Sequence, residues 1–182
     1  QYAYYCQNLQ SSIILDDFNQ KLNYLKILRI KNIKFKVKTY RNMGWNLKEK
    51  YKNLFGEKYL TNKNVKSVIK NSKLIVCTYP ETTFLESMCS GVPTILLYLH
   101  DIWKFDDRFK SLVDNLYKNK IIFYSPEDAA DHTEKIINNP YIWWNNKNTL
   151  IARNQFFEDC GRISPDWLDE WKKYILEKND KT

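Results

Sequence analysis

KLIVCTYPETTFLESMCSGVPTILLY, residues Lys73 to Tyr98, decides how the chain is read. Leu74-Ile75-Val76-Cys77 is a short apolar, largely β-branched run, the composition of a strand buried on both faces. Pro80 ends it, because proline has no N–H and biases Tyr79 toward an extended backbone. Thr82 and Thr83 stand where an N-cap belongs, and Phe84, Leu85, Met88 and Cys89 recur at helical spacing. Gly91 sits where a C′ glycine closes a helix, and Val92 to Tyr98 is a second apolar run. Strand, short helix, strand is a βαβ unit. Its tight turn aims backbone N–H groups and two hydroxyls past the strand's carboxyl end, where anions bind. Every α/β protein has several such turns and most bind nothing, so the spacing alone makes this one a candidate.

The 182 residues make one ordinary domain, large enough for a real core. A hydrophobic fraction of 43% against 27% charged residues is globular composition. No apolar run approaches the ~20 residues that span a bilayer, and no signal peptide is visible. Because the sequence starts at Gln1, we expect a fragment of a longer two-domain protein. Cys6, Cys77, Cys89 and Cys160 show no C-x-x-C spacing and fit free thiols in a reducing cytoplasm. With only His100 and His132 available, no His-rich metal site is expected.

A net charge of +8 suits an anionic partner. The excess is mostly lysine spread among asparagines, as in Lys31 to Lys38 and Lys63 to Lys70, which reads as solvated surface. There is no Arg-rich tract, zinc-finger spacing or RNP-type aromatic box, and nucleic acid is not expected as a partner.

Upstream, Tyr2 to Cys6 reads as a first strand. Leu15, Phe18, Leu22, Leu25 and Leu28 mark an amphipathic helix with Asp16 and Asp17 in its first turn. Ile33, Phe35 and Val37 alternate with lysines, the pattern of an edge or near-edge strand. That strand runs into Arg41, positioned to pair with phosphate, and Gly44, which allows a positive φ before a helix from Trp45 to about Leu54. Arg41 reads equally well as a surface ion pair. Asn64 to Lys70 is helical. His100, Asp101 and Trp103 follow the second apolar run, and Thr78 follows the first; these, with Gly44 and Trp45, are candidate base or sugar contacts, or simply a cover for the sheet edge.

Further on, Phe105 to Leu116 is a helix, Ile121 to Tyr124 a strand, and Ser125-Pro126-Glu127-Asp128 a capped helix start. Trp143-Trp144 reads as a packed aromatic corner more readily than as a stacking site. Helices from Lys147 to about Cys160 and from Ser164-Pro165 to about Leu176 finish the chain, with Trp167, Leu168, Trp171 and Ile175 on the apolar face of the last. At least four strand–helix alternations predict a doubly wound, Rossmann-like, mainly parallel sheet with a helical C-terminal tail.

Two resemblances add to this reading. Glu86 to Pro93, E-x-x-x-x-G-x-P, resembles the element in the C-terminal, donor-binding half of GT-B glycosyltransferases. It implies Glu86 on the ribose or sugar of a nucleotide-sugar, and Thr82 and Thr83 on its phosphates. The ordered series K-x-Y-x-x-x-G-W-N-x-K-E-K, L-I-V-C-T-Y-x-x-T-T-F-L-E-S, G-V-P-T-I, P-E-D-A-A, W-W and D-W-L-x-E-W, from about Leu25 to Ile175, resembles the LIC12162-type transferases of bacterial surface-polysaccharide and flagellar-glycan clusters. Two positions depart: Arg41 stands where the family's strand usually ends Tyr-Pro, and Ile102 precedes Trp103 where the family usually has histidine.

The resemblance implies a cytoplasmic glycosyltransferase half that holds a nucleotide-sugar, with the acceptor on a missing N-terminal domain and at most peripheral membrane contact. No paired carboxylates show Asp-x-Asp spacing, so neither a metal nor another cofactor is expected. The alternatives are a sugar-nucleotide epimerase or CDP-polyol phosphotransferase of the same fold, and a basic module for nucleic acid or membrane surface.

Overall fold

The structure, a computed structural model, describes residues 11–39, 46–161 and 164–179. It is a mixed α/β unit, mostly helical, built on a small parallel sheet. The strands β1 (Ile75–Cys77), β2 (Thr94–Leu97) and β3 (Ile122–Phe123) lie in that order, with Val76 beside Ile95 and Leu97 beside Phe123. Every residue of β2 is buried, as a strand covered on both faces requires.

The pleat divides the core in two. Leu96 and Tyr98 point to one side, into a cluster with Phe84 and Met88 of α4 (Thr82–Cys89), Leu112 and Leu116 of α5 (Lys110–Lys118), Trp144, and Phe156 of α8 (Lys147–Cys160). Ile95 and Leu97 point to the other, against Tyr24 and Leu28 of α1 (Ser11–Ile30) and Ala129, Ala130 and Ile136 of α6 (Pro126–Ile136). His132 of α6 sits behind β3, its ring 5.4 Å from Phe123 and 4.9 Å from Trp143. Burial there pushes its pKa down to about 4, helped by Lys120 and Lys135.

Local signals work where they are strong. Ser125 caps α6 by accepting from the Asp128 N–H at 3.1 Å, with Pro126 in the first turn. Gly91 follows α4 at φ +75°, the left-handed conformation a C′ residue needs. The tryptophan pair is a packed corner in α7 (Pro140–Trp144): Trp144 Nε1 donates to the Gly91 carbonyl at 2.9 Å and Trp143 Nε1 to that of Asn119 at 3.1 Å. Gly161 ends α8 where a Cβ would come within 2.5 Å of Leu85 Cδ1, so the chain leaves α8 in close contact with α4.

Other expectations need correction. The sheet has three strands among the described residues, fewer than predicted, and shows no strand beyond β1 to reverse its winding. Residues 33–38 do alternate half-buried and exposed, but among the described residues their only pairing is a single parallel bridge between Val37 and Leu60. An alternating pattern exposes a pairing edge; it does not supply the neighbour. Helix α1 begins at Ser11, so Asp16 and Asp17 lie beyond its first turn and Asp17 is buried. Helix α4 begins at Thr82 with Glu81 as N-cap, one residue earlier than a threonine cap would place it. Helices α2 (Leu47–Phe55) and α3 (Val65–Lys70) match expectation closely, α3 with Asn64 accepting from the Ser67 N–H at 2.8 Å. The predicted first strand, and the start of the helix placed at Trp45, lie outside the described residues. The C-terminal helix α9 (Trp167–Asn179) carries its apolar face, but exposed. Among the described residues no helix is long and apolar enough to cross a membrane.

Candidate functional site

Parallel strands β1 and β2 deliver two loops to the same edge of the sheet. After β1, Thr78 is half-buried and Tyr79-Pro80-Glu81 leads into α4. Thr82 and Thr83 occupy the first two helical positions, both exposed, and the Glu81 side chain makes no capping bond. The first intrahelical bonds run from the N–H groups of Phe84 and Leu85 to the Glu81 carbonyl, at 2.9 and 3.3 Å. Two backbone N–H groups and two hydroxyls thus face outward at the positive end of a helix dipole. Such an end accepts a phosphate or carboxylate.

After β2, the chain turns tightly, Ile102 and Trp103 donating their N–H groups to the Leu99 carbonyl at 3.2 and 3.1 Å. His100 and Asp101 are exposed on this turn, while Trp103 packs inward. The rings of Tyr79 and Trp103 meet edge to face at 5.7 Å, which joins the two loops. His100 lies 4.8 Å from the ring of Tyr124, the residue that follows β3. Thr78, Thr82, Thr83, His100, Asp101 and Trp103 therefore share the carboxyl edge. Arg41, Gly44 and Trp45 lie outside the described residues.

Glu86 is placed differently from the capping box that its spacing from Thr83 suggests. With Glu81 as N-cap, Glu86 falls in the second turn, one turn beyond Thr82. It is exposed and lines a groove of about 600 Å³ between α3 and α4, with Lys66, Ile69, Lys70, Cys89, Ser90 and Val92.

Sequence reading missed the part of this edge supplied by α1. The buried line of α1 runs Asp17, Gln20, Tyr24, Leu28. Asp17 accepts from the Tyr79 hydroxyl at 2.9 Å and pairs with Lys21, whose ammonium also lies over the Tyr79 ring at 3.7 Å. Burial lowers the Lys21 pKa and outweighs the raising effect of Asp17; burial also raises that of Tyr79, with Asp17 adding to it. Gln20 Nε2 donates to the Tyr124 carbonyl at 2.7 Å and the Tyr98 carbonyl at 3.4 Å, tying off the ends of β3 and β2. The signal was present as polar residues at core spacing: positions 17, 20, 24 and 28 follow a helical line in which half the residues are polar.

The thiols take no part. Cys77 is buried, its pKa pushed up to about 11, and the described cysteines are all free. Among the described residues no cluster of three or more His, Cys, Asp or Glu side chains is placed to hold a metal ion.

Compared with known proteins, residues 1–175 match the model of the LIC12162 family transferases. No curated protein and no solved structure matches significantly. With nearly its whole length covered by that family model, the chain belongs to the LIC12162 family of transferases.

Proposed function

We propose that this transferase chain holds a nucleotide-activated sugar at the carboxyl edge of its sheet, as the donor-binding half of a GT-B-like, doubly wound glycosyltransferase of bacterial glycan synthesis. The observation that carries the reading is the uncapped start of α4, where exposed Thr82 and Thr83 stand beside the end of β1. The donor's diphosphate sits there, on backbone N–H groups and hydroxyls. Arg41 adds positive charge, and no metal is required. Glu86 accepts from a ribose or sugar hydroxyl, and the His100–Trp103 turn, with Gly44, Trp45 and Thr78, offers contacts to base or sugar. The acceptor, a glycan or protein, comes from outside this chain, which is cytoplasmic. The chain alone binds donor without transferring it, because among the described residues no second α/β unit lies across the edge to supply a base.

The test is a thermal-shift panel of CMP-, UDP-, GDP- and dTDP-sugars. One donor class should raise the melting temperature, and a flat response to all four counts against a nucleotide-sugar. Incubating the chain with the donor it binds, with and without EDTA, checks the rest. Slow nucleotide release insensitive to EDTA is expected, and efficient EDTA-sensitive turnover would overturn both the half-enzyme and the metal-free assignments.

A further inference from the structure

Resting on the donor reading above, we propose that Tyr79 is a positioning residue for that site: its hydroxyl, bonded to Asp17, holds the loop between β1 and α4 so that the first turn of α4 meets the donor's phosphates. Three contacts converge on this side chain from outside its own loop. The hydroxyl donates to Asp17 Oδ2 of α1 at 2.9 Å. The Lys21 ammonium, one turn further along α1, lies 3.7 Å from the ring centroid. Trp103, from the turn after β2, meets the ring edge to face at 5.7 Å.

The start of α4 needs such an anchor. Helices α3, α6 and α8 fix their first turns with the side chains of Asn64, Ser125 and Asn146. Helix α4 has no side-chain cap at Glu81, so its opening N–H groups depend on how the chain arrives. Between Tyr79 and Glu81 stands only Pro80, whose ring fixes φ and makes the link short and stiff. A side chain held at Tyr79 therefore sets where Thr82 and Thr83 stand. The other end of the tie is rigid. Asp17 is buried and paired with Lys21, and Gln20 of the same helix donates to the Tyr98 and Tyr124 carbonyls at the ends of β2 and β3.

The hydroxyl acts locally. Tyr79 is 37% exposed and belongs to neither core cluster. Tyr79→Phe keeps the ring contacts with Trp103 and Lys21 and leaves Asp17 paired with Lys21, so the variant folds and loses one bond alone. Without that bond the loop samples positions in which the first turn of α4 is open, and a donor binds only the fraction still in place.

Two measurements on the full chain test this. In hydrogen exchange without ligand, the Phe84 and Leu85 amides, which bond to the Glu81 carbonyl, should exchange about tenfold faster in Tyr79→Phe, while the Leu96 amide of β2 keeps its wild-type rate. In titration calorimetry with CDP, UDP, GDP and dTDP, the diphosphate that the wild type binds best should bind the variant about tenfold more weakly. Unchanged exchange at Phe84 and Leu85 overturns the positioning role. So does an equal acceleration at Leu96, which would make the hydroxyl a support of the whole fold. Faster exchange with unchanged affinity overturns the link to the phosphates and leaves the donor reading intact. A wild type that binds none of the four diphosphates removes the donor reading and the phosphate role of Tyr79 with it, and the exchange result at α4 then separates that failure from a failure of the anchor.

Discussion

The two sides of the carboxyl edge are built in opposite ways. On the α1–α6 side, the main polar groups make their bonds within the protein: Asp17 with Lys21 and Tyr79, Gln20 with two strand-end carbonyls, and Tyr24 with Thr133 at 3.0 Å, while Asp17 Oδ1, Gln20 Oε1 and His132 Nε2 are buried without a hydrogen-bond partner among the described residues. On the α4 side, Thr82, Thr83, His100 and Asp101 are exposed, and the first helical positions carry no side-chain cap. Polar residues of the first side spend their bonds on holding α1 against the sheet. On the second, Thr82 and Thr83 keep theirs available, while His100 and Asp101 stand 3.8 Å from each other on the surface. The comparison predicts that substitutions on the first side change stability and those on the second change binding.

The sharpest way to break it is Asp17→Ala. Lys21 would stay buried with its charge unpaired, and removing one partner of such a pair costs about 3–5 kcal/mol. Urea unfolding at neutral pH should show a fall of that size. A loss below about 1 kcal/mol would mean that the pair behaves as a solvated surface bridge and that this side is less closed than its geometry.

The converse experiment is the double change Thr82→Val, Thr83→Val. A donor at one hundred times its Kd should stabilise the wild type by about 2.7 kcal/mol. The double variant should lose that stabilisation while its ligand-free melting temperature stays within a few degrees, since neither hydroxyl is buried. If a donor still shifts the variant fully, the turn is structural only and the contrast between the two sides disappears.

Glu86→Gln sharpens the contrast within α4 itself, because Glu86 faces the groove with Lys66 and Lys70 and takes no part in the helix cap. If Glu86 accepts from a sugar hydroxyl, titration calorimetry should show binding weakened by about 1–3 kcal/mol with stability unchanged. Unchanged affinity would leave Glu86 as an exposed residue lining the groove, and the donor would then lie wholly within the β1–β2 edge.

How much of this was legible depends on whether the signal was local. Pro80, Gly91 and the Ser125-Pro126 cap act on their own neighbours, and the βαβ unit they bound is where the sequence places it. The turn at Thr82 was readable for that reason, to within one residue of its cap. Among the described residues the stretch expected as a strand at 33–37 pairs with a neighbour at Val37 alone, because a ladder needs a partner and alternation says nothing of where one lies. Asp17 was hidden for the same cause. Its role rests on Tyr79, 62 residues away, and on a helix beginning four residues before its first clear apolar marker. Burial of α9 could not be read at all, since an amphipathic stripe specifies a need for cover without naming what covers it.

The smallest effect belongs to His132, and it gives the α1–α6 side a pH signature that the exposed side lacks. In the folded chain its pKa is about 4, first because burial penalises the imidazolium and then because Lys120 and Lys135 are near. In the unfolded chain it returns to about 6.5. Above pH 7 both states are neutral there and the group contributes nothing. As pH falls through 6.5 the unfolded chain takes up a proton the folded chain refuses, so stability is lost progressively until about pH 4, where both states are protonated. The ring is only partly enclosed, which reduces the effect to about 1 kcal/mol. His132→Phe keeps the contacts with Phe123 and Trp143 and removes the titration, so its advantage over wild type in urea unfolding should grow by about that amount between pH 7 and pH 4.5. A constant difference across that range would show that the imidazole protonates as easily folded as unfolded, and that the layer behind β3 is open to water.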